Sequence, residues 1–143
     1  MENSLIENTL AFAGVCVLAL SAQSDIRRRL IPVYLPLLFG IFSVCVRGFD
    51  DAFRDALLGS IPGILIILLH WISQKQIGIG DGIMMTGMGF YLGIHRGLLV
   101  LFLSLGILFM FSCVGLSLRK IHRKTCLPYA PFYLAAYIGV VVL

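Results

Sequence analysis

Six apolar stretches take up most of the chain and constrain its fold more than any other feature. They cover residues 5–22, 31–46, 56–72, 82–94, 97–118 and 127–143. Each is long enough for a helix, although the fourth is short for a membrane span, which needs about 20 apolar residues. Six spans would leave only short connections in a chain of 143 residues. We therefore expect an all-α, polytopic membrane helix bundle with about six transmembrane helices.

The composition excludes the common soluble alternatives. Apolar residues make up 59% of the chain and charged residues only 13%, whereas soluble proteins carry about 45–50% and about 25%, respectively. These values rule out a soluble globular domain, a disordered chain and a nucleic-acid-binding module in solution. We therefore expect the lipid bilayer, and no nucleic acid, among the partners of this protein.

The cysteines and histidines show no metal-binding pattern. The four cysteines include no Cys-x-x-Cys pair. The three histidines, His70, His95 and His122, lie at the ends of separate apolar stretches. A zinc site needs three or four such ligands close together, so we expect neither a metal nor a cofactor.

Basic residues divide the connections between the apolar stretches into two sides. Eight of the 11 basic residues lie in three connections, at 27–29, 75 and 119–124. The other side carries only Arg47, Arg54 and Arg96. Because basic loops stay in the cytoplasm, the first set predicts the cytoplasmic side. Both termini of a six-span protein then face outward.

The acidic residues fall into two groups. Five are predicted to be solvated charges on the outer side: Glu2, Glu7, Asp50, Asp51 and Asp55. The other two, Asp25 and Asp81, reach the cytoplasmic face from different helices. A single acid at the end of a membrane helix is a functional candidate or an interfacial charge with similar odds. Two such acids at one depth favour a shared site.

Asp81 stands in a glycine-rich string. Gly78, Gly80 and Gly82 surround it. Glycine opposes a continuous helix, and unwound backbone inside a membrane protein is tolerated where it lines a cavity. We therefore expect unwound backbone here that another chain can approach closely, with simple loop flexibility as the alternative reading of the glycines.

Other side chains are predicted to have structural roles. Met84, Met85 and Met88 fall near one helical face, which is typical of packing. Trp71 and Tyr91 are expected to be interfacial aromatic residues.

Three motifs, in this order, resemble the type IV prepilin peptidase and preflagellin peptidase family, whose members are membrane aspartic proteases marked by Gly-x-Gly-Asp. The motifs are Asp25 followed by Ile31 and Pro32, the marker at 78–81, and Pro128-Tyr129-Ala130-Pro131-Phe132 opening the last stretch. The chain departs from the family pattern at Val33, where asparagine is frequent, and at Ile83, where lysine is frequent.

The resemblance implies one peptidase domain over residues 1–143, in the short form without a methyltransferase domain. It implies that Asp25 and Asp81 are catalytic and that Gly78, Gly80 and Gly82 admit the backbone of the substrate. The implied substrate is a prepilin-like membrane protein, of the type IV, Flp/Tad or flagellin-like kind. Its short basic leader would be removed at the cytoplasmic face of the cell membrane.

Two aspartates can hydrolyse a peptide bond if they share one proton. Like charges close together cannot both ionise cheaply, so one carboxyl group stays protonated. The ionised group takes a proton from the attacking water, and the neutral group donates one to the scissile carbonyl. The sequence leaves open which aspartate has which role.

Two other functions account for part of the pattern. A small transporter or ion-conducting subunit would use the two acids as proton or cation sites, although such sites usually lie near the bilayer midplane. A catalytically inactive pilus-assembly factor would keep the fold, and Val33 and Ile83 leave room for it. Cleavage of a hydrophobic precursor that bears a basic leader would separate the three.

Overall fold

The computed structural model describes residues 2–28, 32–47, 49–73, 78–117 and 128–142. The regular elements in these ranges are all helices, which confirms the predicted all-α class. They are α1 (Glu2–Arg28), α2 (Tyr34–Arg47), α3 (Phe49–Ile72), α4 (Ile79–Ser117) and α5 (Ala130–Tyr137), the last followed by a π-helical turn (Ile138–Val142).

Helix α4 is a hairpin of two arms rather than one long rod. Gly93 interrupts it with φ 70° and ψ −177°, a conformation open almost only to glycine. Leu101 lines the same small cavity as Met85, whereas a straight helix would separate them by roughly 24 Å. The chain therefore reverses at Gly93, close to the predicted break between the fourth and fifth apolar stretches. We call 79–92 the first arm and 94–117 the second arm.

The helices have the apolar surface of a membrane protein. In the described ranges, three elements are long and apolar enough to cross a bilayer: Ser4–Arg27, Phe53–Ile72 and Ile79–Ser117, the last being both arms of α4 taken together. Two shorter apolar helices are Tyr34–Arg47 and Ala130–Val141. Large apolar side chains such as Phe12 and Phe102 are exposed on the outside of the bundle, as a lipid-facing surface requires. The prediction of a membrane protein is confirmed; six spans and outward-facing termini stay predictions.

The first arm of α4 lies between α2 and α3 and touches both through glycine. A Cβ on Gly59 of α3 would collide with the carbonyl group of Gly89, and a Cβ on Gly40 of α2 with that of Gly87. Small residues let membrane helices approach to backbone contact, which maximises van der Waals packing where lipid offers no hydrophobic driving force. These contacts hold Asp81, at the start of the first arm, on a closely packed element.

The interior contains the predicted methionines and a tyrosine that was predicted elsewhere. Met84, Met85 and Met88 are buried, which confirms their packing role. Tyr91 is only 3% exposed and packs against Phe39, with the two rings tilted and their centroids 5.3 Å apart. The prediction that Tyr91 is interfacial is wrong, because the bundle surrounds this face of α4.

Charged side chains secure the α4 hairpin from both sides. Arg47 donates a hydrogen bond of 2.8 Å to the carbonyl of Tyr91, at the end of the first arm. Asp55 accepts one of 3.3 Å from the N–H of Ile94, at the start of the second arm. Each charge has the sign that complements the helix end it meets. Asp55 is exposed, as a solvated charge is expected to be, but it also binds the start of the second arm. Glu7 lies 4.0 Å from Arg47.

Candidate functional site

Asp25 lies near the end of α1 and points into the bundle. Its side chain is only 8% exposed. One carboxylate oxygen accepts a hydrogen bond of 3.2 Å from the backbone N–H of Ala130, across 105 residues of sequence. Ala130 is the first residue of α5. A buried carboxylate needs such a partner, and the N-terminus of a helix also favours negative charge.

Asp81 lies in the first turn of α4. Its N–H donates to the carbonyl of Gly78 at 3.2 Å, which forms the turn that leads into the helix. Its side chain is half-buried. A Cβ on Gly78 would lie 2.9 Å from the Asp81 carboxylate, so the missing side chain leaves this flank of the carboxylate open.

The structure brings the two aspartates together. Their carboxyl groups are close enough to interact electrostatically, although they belong to α1 and α4. Tyr129, the residue before α5, is also within electrostatic range of Asp81, and the next residue along, Ala130, holds Asp25. The end of α1 and the starts of α4 and α5 therefore lie near one another.

The glycines around Asp81 differ from the predicted unwound string. Helix α4 begins at Ile79, so Gly80 and Gly82 are helical and the prediction of unwound backbone is wrong for both. Gly82 is buried, and a Cβ there would lie 2.7 Å from the Ile67 side chain of α3. Packing between helices therefore accounts for Gly82. Gly78 precedes the helix and is exposed.

The motif prolines in the described part of the chain lie at or just before helix starts. Pro131 lies in the first turn of α5, directly after Pro128-Tyr129-Ala130, where a missing N–H costs little. Pro32 precedes α2 and accepts a hydrogen bond of 3.1 Å from the N–H of Leu35. The prediction that 128–132 opens the last helix is confirmed. Ile31 lies outside the described residues.

Two polar side chains to which the sequence analysis assigned no role form a buried pair: Tyr129, which belongs to the 128–132 motif, and Ser104. The Tyr129 hydroxyl makes a hydrogen bond of 2.5 Å with Ser104 Oγ in the second arm of α4. Both side chains are buried, Ser104 completely. Ser104 is the one hydroxyl-bearing residue in the otherwise apolar run 97–111, and this isolation was the signal available to find it.

Metal-binding groups are absent from the described part of the chain. No three His, Cys, Asp or Glu side chains there are grouped so that they could hold an ion.

Comparison with known protein families adds to this geometry. The model of the type IV leader peptidase family matches residues 12–115, well over half of the chain. The chain belongs to the type IV leader peptidase family. Both Asp25 and Asp81 lie within the matched range, whereas α5 lies beyond it. Comparisons with curated proteins and with solved structures found no match.

Proposed function

We propose that this member of the leader peptidase family is an aspartic endopeptidase with Asp25 and Asp81 as its catalytic pair. The observation that carries the proposal is the convergence of these two carboxyl groups from α1 and α4. Family membership supports peptide hydrolysis as the reaction. The partial exposure of Asp81 supports access of water to the pair.

The two aspartates have different surroundings, and we assign their roles accordingly. Asp25 accepts the Ala130 N–H at the start of α5, a bond that is strongest when the acceptor is ionised. Asp25 is therefore the general base. Asp81 lies within electrostatic range of Asp25. Because two neighbouring like charges cannot both ionise cheaply, we assign the shared proton to Asp81, which is then the general acid.

The proposed reaction proceeds in two steps. Asp25 takes a proton from water while the water oxygen bonds to the scissile carbonyl carbon, and Asp81 donates its proton to the carbonyl oxygen. The product is a neutral tetrahedral gem-diol. In the second step a hydroxyl of the gem-diol returns a proton to Asp81, Asp25 gives its proton to the amide nitrogen, and the C–N bond breaks. Both carboxyl groups then have their starting protonation states.

The proposed substrate is a prepilin-like membrane protein with a short basic leader. The family name describes leader removal. The open flank of Asp81 at Gly78 gives an extended backbone a place to approach, and Gly80 adds little bulk beside it. The basic connection that begins at Arg27 supports a site at the cytoplasmic face of the cell membrane, because positive loops stay inside.

The positions of the acids argue against a transport site. Transport sites usually lie near the bilayer midplane on interrupted helices. Asp25 and Asp81 both lie in terminal turns, at the end of α1 and the start of α4. Helix α4 is interrupted at Gly93. This break lies at the opposite end of the first arm from Asp81.

A cleavage assay with the purified protein in detergent tests the proposal. The substrate is a hydrophobic precursor with a basic leader, and the variants are Asp25→Asn and Asp81→Asn. Loss of general acid–base catalysis is expected to lower kcat by about 10²–10⁴-fold in each variant. Glu7→Gln is the matched control, because Glu7 is an exposed acid on the same helix as Asp25. Wild-type cleavage by either aspartate variant would refute the proposal.

A further inference from the structure

We propose that Tyr129, anchored by Ser104, is a positioning residue that holds the N–H of Ala130 on Asp25. This inference rests on the proposed function and concerns the start of α5, which lies beyond the family match. The Tyr129 side chain bonds Ser104 rather than either aspartate. It acts through the backbone of the residue that follows it.

The direction of the Tyr129–Ser104 hydrogen bond follows from the number of protons available. Ser104 has one hydroxyl proton, and it donates that proton to the carbonyl of Leu101 at 2.8 Å. The oxygen of Ser104 is then left as an acceptor. The Tyr129 hydroxyl is therefore the donor to Ser104. The Leu101 bond also orients the Ser104 oxygen, so the acceptor is held in place by its own helix.

Tyr129 also fixes the first turn of α5 through its backbone. Its carbonyl accepts hydrogen bonds from Phe132 N–H at 3.0 Å and Tyr133 N–H at 3.1 Å. It occupies the N-cap position but makes no side-chain cap bond. The side chain reaches across to α4 instead. The N–H of Ala130, which a cap residue often leaves to solvent, is satisfied by Asp25 from α1.

The hydrogen bond between Tyr129 and Ser104, which we call the anchor, therefore connects three elements of the structure. Ser104 belongs to the second arm of α4, Tyr129 to the start of α5, and Asp25 to α1. Both members of the anchor are buried, so water does not readily replace the lost hydroxyl. A shift of the α5 start would move the donor that holds the Asp25 carboxylate. A displacement of about 1 Å in a catalytic arrangement can cost roughly 10²-fold in rate.

Two substitutions remove the anchor from opposite ends. Tyr129→Phe deletes the hydroxyl but keeps the ring that packs against Tyr133 at 5.9 Å. Ser104→Ala deletes the acceptor. Each is expected to lower kcat by roughly tenfold or more and to leave KM within about twofold, because the substrate is not contacted. The double variant is expected to be no worse than the more damaged single variant, since the two residues share one bond.

Each substitution has a matched control in the same bundle. Tyr137→Phe also removes a buried tyrosine hydroxyl, one that donates to the carbonyl of Ala11 at 3.2 Å. Ser112→Ala also removes a serine hydroxyl from the arm that carries Ser104, one that donates to the carbonyl of Leu108 in its own helix. Both controls are expected to keep the wild-type kcat.

A spectroscopic measurement reports on the Ala130 bond without any substrate. Tyr129-Ala130 is the one Tyr-Ala pair in the sequence, so labelling tyrosine carbonyls with ¹³C and alanine nitrogens with ¹⁵N yields a single peptide resonance. We expect slow exchange of the Ala130 amide proton in the wild type and in both controls. Exchange is expected to be at least about tenfold faster in Tyr129→Phe and Ser104→Ala, because protection follows the hydrogen bond.

The two readouts separate failure of this inference from failure of the proposed function. Wild-type kcat in Tyr129→Phe, or unchanged Ala130 exchange in both anchor variants, would overturn the inference even if the aspartate variants are inactive. Wild-type cleavage by Asp25→Asn would overturn the proposed function, while Ala130 exchange would still test the hydrogen bond between Tyr129 and Ser104. Loss of activity with an unchanged Ala130 amide would also contradict the inference, since the effect would then have another route.

Discussion

Arg47 lies over the ring of Tyr91, with its guanidinium carbon 4.7 Å from the ring centroid, and donates a hydrogen bond to the Tyr91 carbonyl. One side chain from the end of α2 thus binds both the face and the backbone of a residue at the end of the first arm of α4. The carbonyl is one of those that the reversal at Gly93 leaves without a partner in its own helix.

Replacing Arg47 by methionine is expected to destabilise the bundle. The substitution removes a charged donor and the cation above the ring, and it leaves the Tyr91 carbonyl unpaired. Hydrogen bonds to charged groups contribute about 1.5–3 kcal/mol, so the loss of unfolding free energy should fall in this range. Denaturation in detergent measures it. The exposed Arg54→Met is the control, and equal stability of the two variants would contradict the role of Arg47.

Asp55 is expected to act as a helix cap rather than as a catalytic acid. Asp55→Ala should lower the unfolding free energy by about 0.5–2 kcal/mol, the usual loss for an N-cap residue. Asp55→Asn should cost much less, because asparagine caps nearly as well. Cleavage of a precursor should persist in both variants. An inactive but fully stable Asp55→Asn protein would show that this acid belongs to the chemistry.

A side chain at Gly93 is expected to prevent the α4 hairpin from forming normally. The positive φ is unfavourable for any other residue, at a cost of about 1–3 kcal/mol. A Cβ would also collide with the carboxylate of Asp55. Gly93→Ala should therefore reduce the thermal stability strongly. Gly106→Ala is the control, since nothing lies within 4 Å of a Cβ at that position. Similar melting of the two variants would refute the reversal at Gly93.

Changing Gly78 to alanine is expected to affect activity, whereas changing Gly82 to alanine is expected to affect stability. Gly78→Ala should lower kcat/KM by roughly tenfold without affecting the melting temperature, because the new methyl group crowds the reacting carboxylate of Asp81. Gly82→Ala should lower the melting temperature, because the methyl group meets Ile67 of α3. Activity and thermal unfolding measured on the same preparations check both. A stable Gly82→Ala protein, or a Gly78→Ala protein with wild-type kcat/KM, would contradict this division.

The sequence predicted the helices because hydrophobic runs and helix-ending residues are local signals. It also singled out Asp25 and Asp81, since a charge near an apolar run is costly and therefore informative. The partners of Asp55 and Arg47 could not be predicted. They depend on the reversal at Gly93, which brings together residues about 40 positions apart through backbone geometry.

The partner of Asp25 is harder still to predict. The donor is a backbone N–H of an alanine, and no side-chain chemistry distinguishes it from any other alanine. Ser104 was visible as a hydroxyl in an apolar run, but its use depends on where α5 begins. Local signals therefore revealed the acids, while the groups that hold them required the three-dimensional arrangement.

The glycine contacts of the first arm of α4 also bear on how the protein is made. This arm is about 14 residues long, roughly 21 Å of helix, and it is rich in glycine, so by itself it is a poor segment for insertion into a bilayer about 30 Å thick. Its stability comes from backbone contact with α2 and α3. Both helices precede it in the chain, so during synthesis the two helices that pack against the arm are made before the arm itself.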